Sequence, residues 1–117
     1  MTHNKEAEQW VVGTILYEPT LFDSLIVQPE HFHDQQLKKI LQSMRSLAKK
    51  EQAIDIVTVS TELGDDLKTV GGVSYLTELA QSTPTTENLK HHEHLILEAY
   101  RERKSRELAI KFSENPS

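Results

Sequence analysis

Ile54-Asp55-Ile56-Val57-Thr58-Val59-Ser60-Thr61 is the stretch on which the fold class turns. Its β-branched side chains read as a strand on propensity alone. A strand needs a partner, because backbone N–H and C=O groups left unpaired inside a protein are costly. Every other apolar segment of the chain repeats at helical rather than alternating spacing, so a strand here has nothing to pair with. The better reading is a short helix capped by Asp55 and carried inward by Ile56, Val59 and Leu63.

The flanking segments support an all-helical chain. Upstream, Asp34 stands where a cap belongs, and Leu37, Ile40, Leu41, Met44, Leu47 and Ala48 recur at spacings of three and four, the pattern of an amphipathic helix. Before it, Glu18-Pro19-Thr20 and Pro29 bracket a two-turn helix carrying Leu21, Phe22, Leu25 and Ile26. The first helix spans Lys5 to Tyr17, with Ala7, Val11 and Ile15 on one face and Trp10 beside them, half in the core. Downstream, Gly71-Gly72 marks a turn, and Val73, Leu76, Leu79 and Ala80 form a brief helix ended by Ser82-Thr83-Pro84. From Glu87 to about Phe112 there is neither Gly nor Pro; with Thr86 as cap and Leu89, His92, Ile96 and Ala99 or Tyr100 on one stripe, this is the longest helix. The expectation is a compact all-α bundle of about six helices occupying residues 1–112, with 113–117 opening a linker.

Length and composition agree with a single packed domain. At 117 residues the chain supports one core, and 37% hydrophobic with 26% charged residues carries no disordered or low-complexity bias. The net charge of −5 argues against a domain whose main partner is a phosphate backbone. That charge is unevenly spread: Tyr100 to Lys111 carries five basic against two acidic residues, a net +3, which leaves −8 for the rest. The long helix therefore faces surroundings unlike those of the head, or presents a solvated face of paired charges. No apolar run reaches the length of a membrane span and the N-terminus has no signal-peptide pattern, so a cytoplasmic chain is expected. The absence of cysteine excludes disulfides, thiolate metal sites and Cys nucleophiles.

Catalytic motifs are not found. A phosphate-cradling loop requires a Gly-rich turn followed by Lys and Ser or Thr, and Gly71-Gly72-Val73-Ser74 lacks the Lys. His31 and His33, and His91, His92 and His94, do not have the spacing of a zinc-binding helix, so no metal ligand is assigned. Asp65-Asp66 and Glu6/Glu8 read as solvated charge rather than an acid–base pair. Tyr100 is a single aromatic among arginines, where single-strand binding uses several.

Five short motifs in order carry a resemblance: Glu6-Ala7-Glu8-Gln9 followed by Gly13; Phe32; Ile54-Asp55-Ile56-Val57-Thr58; Gly71-Gly72-Val73-Ser74-Tyr75-Leu76-Thr77-Glu78-Leu79; and Thr83-Pro84. Together they resemble the N-terminal domain of the bacterial or phage replicative DNA helicases of the DnaB family, over roughly residues 6–112. The resemblance implies an all-helical, non-catalytic collar domain. It implies a RecA-like motor, absent from this chain, that takes ATP and Mg and unwinds DNA; no cofactor is expected in the chain itself. It further implies a helical hairpin through which subunits pair into a trimer of dimers, the long last helix being its first arm. Implied partners are primase, the other helicase subunits and, in some systems, a loader. The second arm does not follow, so the isolated chain is expected to be a monomer or a weak self-associator. Carried over by position, Gly13 implies close helix packing, Asp55 a cap, Gly71 and Gly72 a tight turn, and Thr83 with Pro84 the lead-in to the last helix. His92 departs from the family pattern, standing where an aromatic residue often follows Asn88 by four. The candidate docking residues are Tyr100, Arg101, Arg103, Arg106 and Leu108.

Two other classes fit less of the sequence. A free-standing helical adaptor or a primase helicase-binding domain would share the helical pattern, and a Walker motif downstream would separate it from a helicase. A small helical DNA-binding module fits the basic helix but not the acidic head.

Overall fold

A computed structural model describes residues 4–83 and 85–114. Six α-helices follow one another: α1 (Lys5–Tyr17), α2 (Gln35–Lys49), α3 (Ile56–Leu63), α4 (Asp66–Val70), α5 (Gly72–Gln81) and α6 (Leu89–Glu114). Two 3₁₀ turns, Pro19–Ser24 and Pro29–His31, lie between α1 and α2. No strand occurs among the described residues.

The β-branched stretch is helical because its ends are locally satisfied. Asp55 Oδ1 accepts the Thr58 N–H at 2.8 Å, and Thr58 Oγ1 accepts the Asp55 N–H at 2.9 Å. This reciprocal cap offsets the modest helix propensity of Ile, Val and Thr. Val59 and Leu63 then enter the core while Val57 faces solvent. Asn4 and Asp34 cap α1 and α2 one way, their side chains accepting the N–H groups of Ala7 and Leu37.

At the centre, α2 presents Leu37, Ile40, Leu41 and Met44, all fully buried. On one side it packs against α3 and α4, on the other against α1, which in turn meets α5 and α6. The α1–α5 contact is close. A Cβ on Gly13 would lie 2.4 Å from the Leu79 carbonyl oxygen and 2.3 Å from Thr83 Oγ1, so the two helices touch where no side chain intervenes. Gly71 separates α4 from α5 at φ 116°, a left-handed conformation that favours glycine; a Cβ there would also strike Tyr75.

Several expected elements differ in detail. The two-turn helix after Pro19 is a six-residue 3₁₀ helix rather than an α-helix and ends at Ser24, so Leu25 and Ile26 fall in the non-helical connector that runs to Gln28. The short α4 carries no amphipathic signal in five residues and was not expected. The last helix starts at Leu89, two residues late, and continues through Ser113 and Glu114, which therefore belong to the helix and not to a linker. Pro84 and Asn115 to Ser117, the remainder of the expected linker, lie outside the described residues.

Candidate protein-docking site

The last helix is built in two halves. From Leu89 to Ala99 it is a core element: Leu89, Glu93, Ile96 and Ala99 are buried. From Lys104 onward every side chain through Ser113 is exposed. At about 1.5 Å per residue its 26 residues span most of the 52 Å long axis of the molecule. The distal half is an arm leaving the head, and it shows large apolar groups to solvent: Leu108 is 67% exposed, Ile110 59% and Phe112 81%.

Buried carboxylates fix the root of this arm. Glu93, fully buried, accepts the N–H groups of Ile26 (2.6 Å) and Val27 (2.9 Å) through Oε2, while its Oε1 takes Lys90 Nζ at 2.9 Å. Lys90 Nζ also donates to the Ser24 carbonyl. Glu8 on α1 is 1% exposed and accepts the N–H groups of His33 (2.9 Å) and Asp34 (3.0 Å). Burial pushes its pKa up, against those two donations and the Arg103 charge, which pull it down. The expectation that Glu8 is solvated is therefore corrected: the two carboxylates serve the extended connectors 25–28 and 32–34, whose N–H groups have no helix to bond to.

The five candidate docking residues fall into two groups. Tyr100 and Arg103 face the head. The Tyr100 ring meets His31 edge-on at 4.7 Å between centroids, and Arg103 donates to the His31 carbonyl at 2.9 Å while lying over the Tyr100 ring. Arg101, Arg106 and Leu108 are exposed, with Arg106 bonded to Glu102 at 3.0 Å. Lys104 pairs with Glu107 at 3.2 Å. Such exposed pairs contribute little stability.

At the other end of α6, His92 stacks on Trp10 at 4.7 Å and 27° between planes. The imidazole thus fills the place of an aromatic ring against α1. Burial lowers its pKa, the neighbouring His91 adds to that, and Glu6 opposes it. No group of three His, Asp or Glu side chains suited to a metal occurs among the described residues. No helix among them is long and apolar enough to cross a membrane.

The architecture defines a class of protein: an all-helical head from which one long, partly unpartnered helix projects. Comparison with known proteins gives that class a family. The model of the DnaB-like helicase N terminal domain matches residues 1–98. The replicative DNA helicase DnaC of Bacillus subtilis (strain 168) is 37% identical over 99 residues, covering 81% of this chain and 22% of the helicase. Replicative DNA helicase DnaB of Geobacillus stearothermophilus is likewise 37% identical, over 80% of this chain and 21% of its own length. Among solved structures, a chain described as a DnaB-like replicative helicase and its interactions with primase superposes with a TM-score of 0.88 at 37% identity, over 96% of this chain and 27% of that one. The N-terminal domain of DnaB from Mycobacterium tuberculosis also gives 0.88, at 23% identity over 96% and 84% of the two chains, a likeness of fold alone. The chain belongs to the DnaB-like helicase N-terminal domain family, and it spans about a fifth of the length of the curated relatives it matches.

Proposed function

We propose that this domain is the assembly and docking head of a replicative DNA helicase, working in the cytoplasm. In this reading it supports a trimer-of-dimers collar and receives primase, and in some systems a loader, during DNA replication. The RecA-like motor, elsewhere in the parent protein, hydrolyses ATP with Mg and unwinds the duplex; the head needs no cofactor of its own and has no strong direct affinity for nucleic acid. The observation that carries the reading is the arm: Leu108, Ile110 and Phe112 stay exposed on a helix whose other half is core. Leu108 and Phe112, four residues apart, share one face of the helix, and exposed apolar side chains set together among charges mark a protein interface. The solved relative described with its interactions with primase supplies the class of partner.

Within the arm, Arg101, Arg106 and Leu108 are the proposed contacts, and Tyr100 and Arg103 support them from behind. Reversing Arg101 and Arg106 to Glu tests this by surface plasmon resonance against the immobilised C-terminal domain of the cognate primase. Binding should weaken about tenfold, as for charges at an interface rim, with the thermal midpoint nearly unchanged. Unaltered binding would remove these arginines from the interface.

A further inference from the structure

His31 is the one residue of the second 3₁₀ turn that both ends of the head-to-arm contact use. Its carbonyl accepts from Arg103 at 2.9 Å and its ring meets that of Tyr100 in a T-shaped contact. Its Nδ1 accepts the Gln28 N–H at 2.9 Å, so the neutral ring carries its proton on Nε2, which points toward Glu30 Oε1 at 3.8 Å. The connector through Gln28 and α6 through Tyr100 thus meet on the His31 imidazole, while Arg103 of α6 holds the carbonyl of the same residue.

We infer that His31 is a proton-controlled latch that sets how firmly the arm is held to the head, with Tyr100 and Arg103 as its positioning residues. A second proton can enter only at Nδ1, where it would face the Gln28 N–H, donor against donor. The same proton makes the ring a cation beside two guanidinium groups. The charged groups facing the ring are Arg101 and Arg103 from α6 and Glu30 from its own turn; α2 brings its cap Asp34 and α1 brings Glu8 to the neighbouring connector. Burial lowers the His31 pKa, Arg101 and Arg103 act in the same direction, and Glu30 opposes them. Protonation therefore breaks the Gln28 bond, repels Arg103 and loosens the first turn of the arm. The latch is independent of what the arm binds.

The test uses the whole chain. Ring ¹⁵N shifts of the wild-type protein report the tautomer at neutral pH, and amide hydrogen exchange, expressed as protection factors, reports residues 100–106 as the pH falls through the His31 titration. The latch predicts the Nε2–H tautomer and a loss of protection of about tenfold, the scale of one hydrogen bond, while α2 amides hold. In His31→Asn, whose Oδ1 can accept from Gln28 without titrating, protection should stay flat. An Nδ1–H tautomer in the wild type would overturn the inference whether or not the variant folds. So would a flat wild-type profile, or an equal loss in both chains.

Discussion

Replacing Glu93 should damage the fold in a graded way that depends on what the new side chain can accept. In Glu93→Ala, the Val27 N–H loses its acceptor inside the protein, and the Ile26 N–H loses one near the surface. A buried donor left unsatisfied costs about 1–3 kcal/mol. The Ile26 donor, beside a side chain 47% exposed, can regain water and costs less. Lys90, exposed to about half, keeps the Ser24 carbonyl and can take water in place of the carboxylate. Set against this is relief from burying a carboxylate, which real proteins recover only in part because the site is built around it. The net expectation is a loss of about 2–4 kcal/mol for Ala, a large share of the stability of a domain this size. Glu93→Gln keeps one oxygen for Val27 and should cost about half as much. Urea unfolding followed by circular dichroism measures both, with an unchanged m-value expected for a simple loss of stability. Changes below about 0.5 kcal/mol for Ala, within the range of neutral surface substitutions, would refute the assignment of Glu93 as the clamp of the 25–28 connector.

Other perturbations test the rest of the fold. Gly13→Ala forces α1 and α5 apart against the Leu79 carbonyl; a loss of about 1–3 kcal/mol is expected by chemical denaturation. Leu41→Asp puts an unpaired charge at a fully buried position of α2 and should leave the chain unfolded by circular dichroism. Glu8, with its pKa raised in the fold, gives a native state that binds more protons than the unfolded chain between the ordinary value and the raised one. Its linkage contribution is therefore greatest at acid pH and is lost as pH rises through the folded pKa. Consequently the destabilisation by Glu8→Gln should be smaller at pH 7 than near pH 4. For His92, whose pKa is lowered, stability is present above the unfolded value and is lost as pH falls through the folded one. His92→Phe should remove that loss in thermal melts below pH 6.5 while keeping the stack on Trp10.

How far the sequence could be read depended on the range of the interactions. Asp34, Asp55 and the α2 stripe act within one helical turn, so spacing alone placed them. The Asp55 stretch needed one global fact besides, the absence of any partner strand, and the cap supplied by Thr58 is the local device that makes its helix possible. Glu8 and Glu93 were not legible, because the backbone donors they serve lie 25 to 67 residues away. Nothing in Glu6-Ala7-Glu8-Gln9 distinguishes the exposed Glu6 from the buried Glu8 except the helical phase, which puts Glu8 one position from the core stripe. The docking candidates share one charge-rich segment, and only its packing against His31 separates Tyr100 and Arg103 from the exposed Arg101, Arg106 and Leu108. The 3₁₀ turns follow from Pro19 and Pro29, which fix φ at the start of each turn but do not select between 3₁₀ and α geometry.

The role of the arm as a docking surface is tested most directly by calorimetric titration of the 117-residue chain with the C-terminal domain of the cognate primase at near-physiological salt, with light scattering to give the mass of each species. Saturable binding to a chain of monomer mass is the predicted result. A folded chain that takes up no primase domain at any accessible concentration would contradict it.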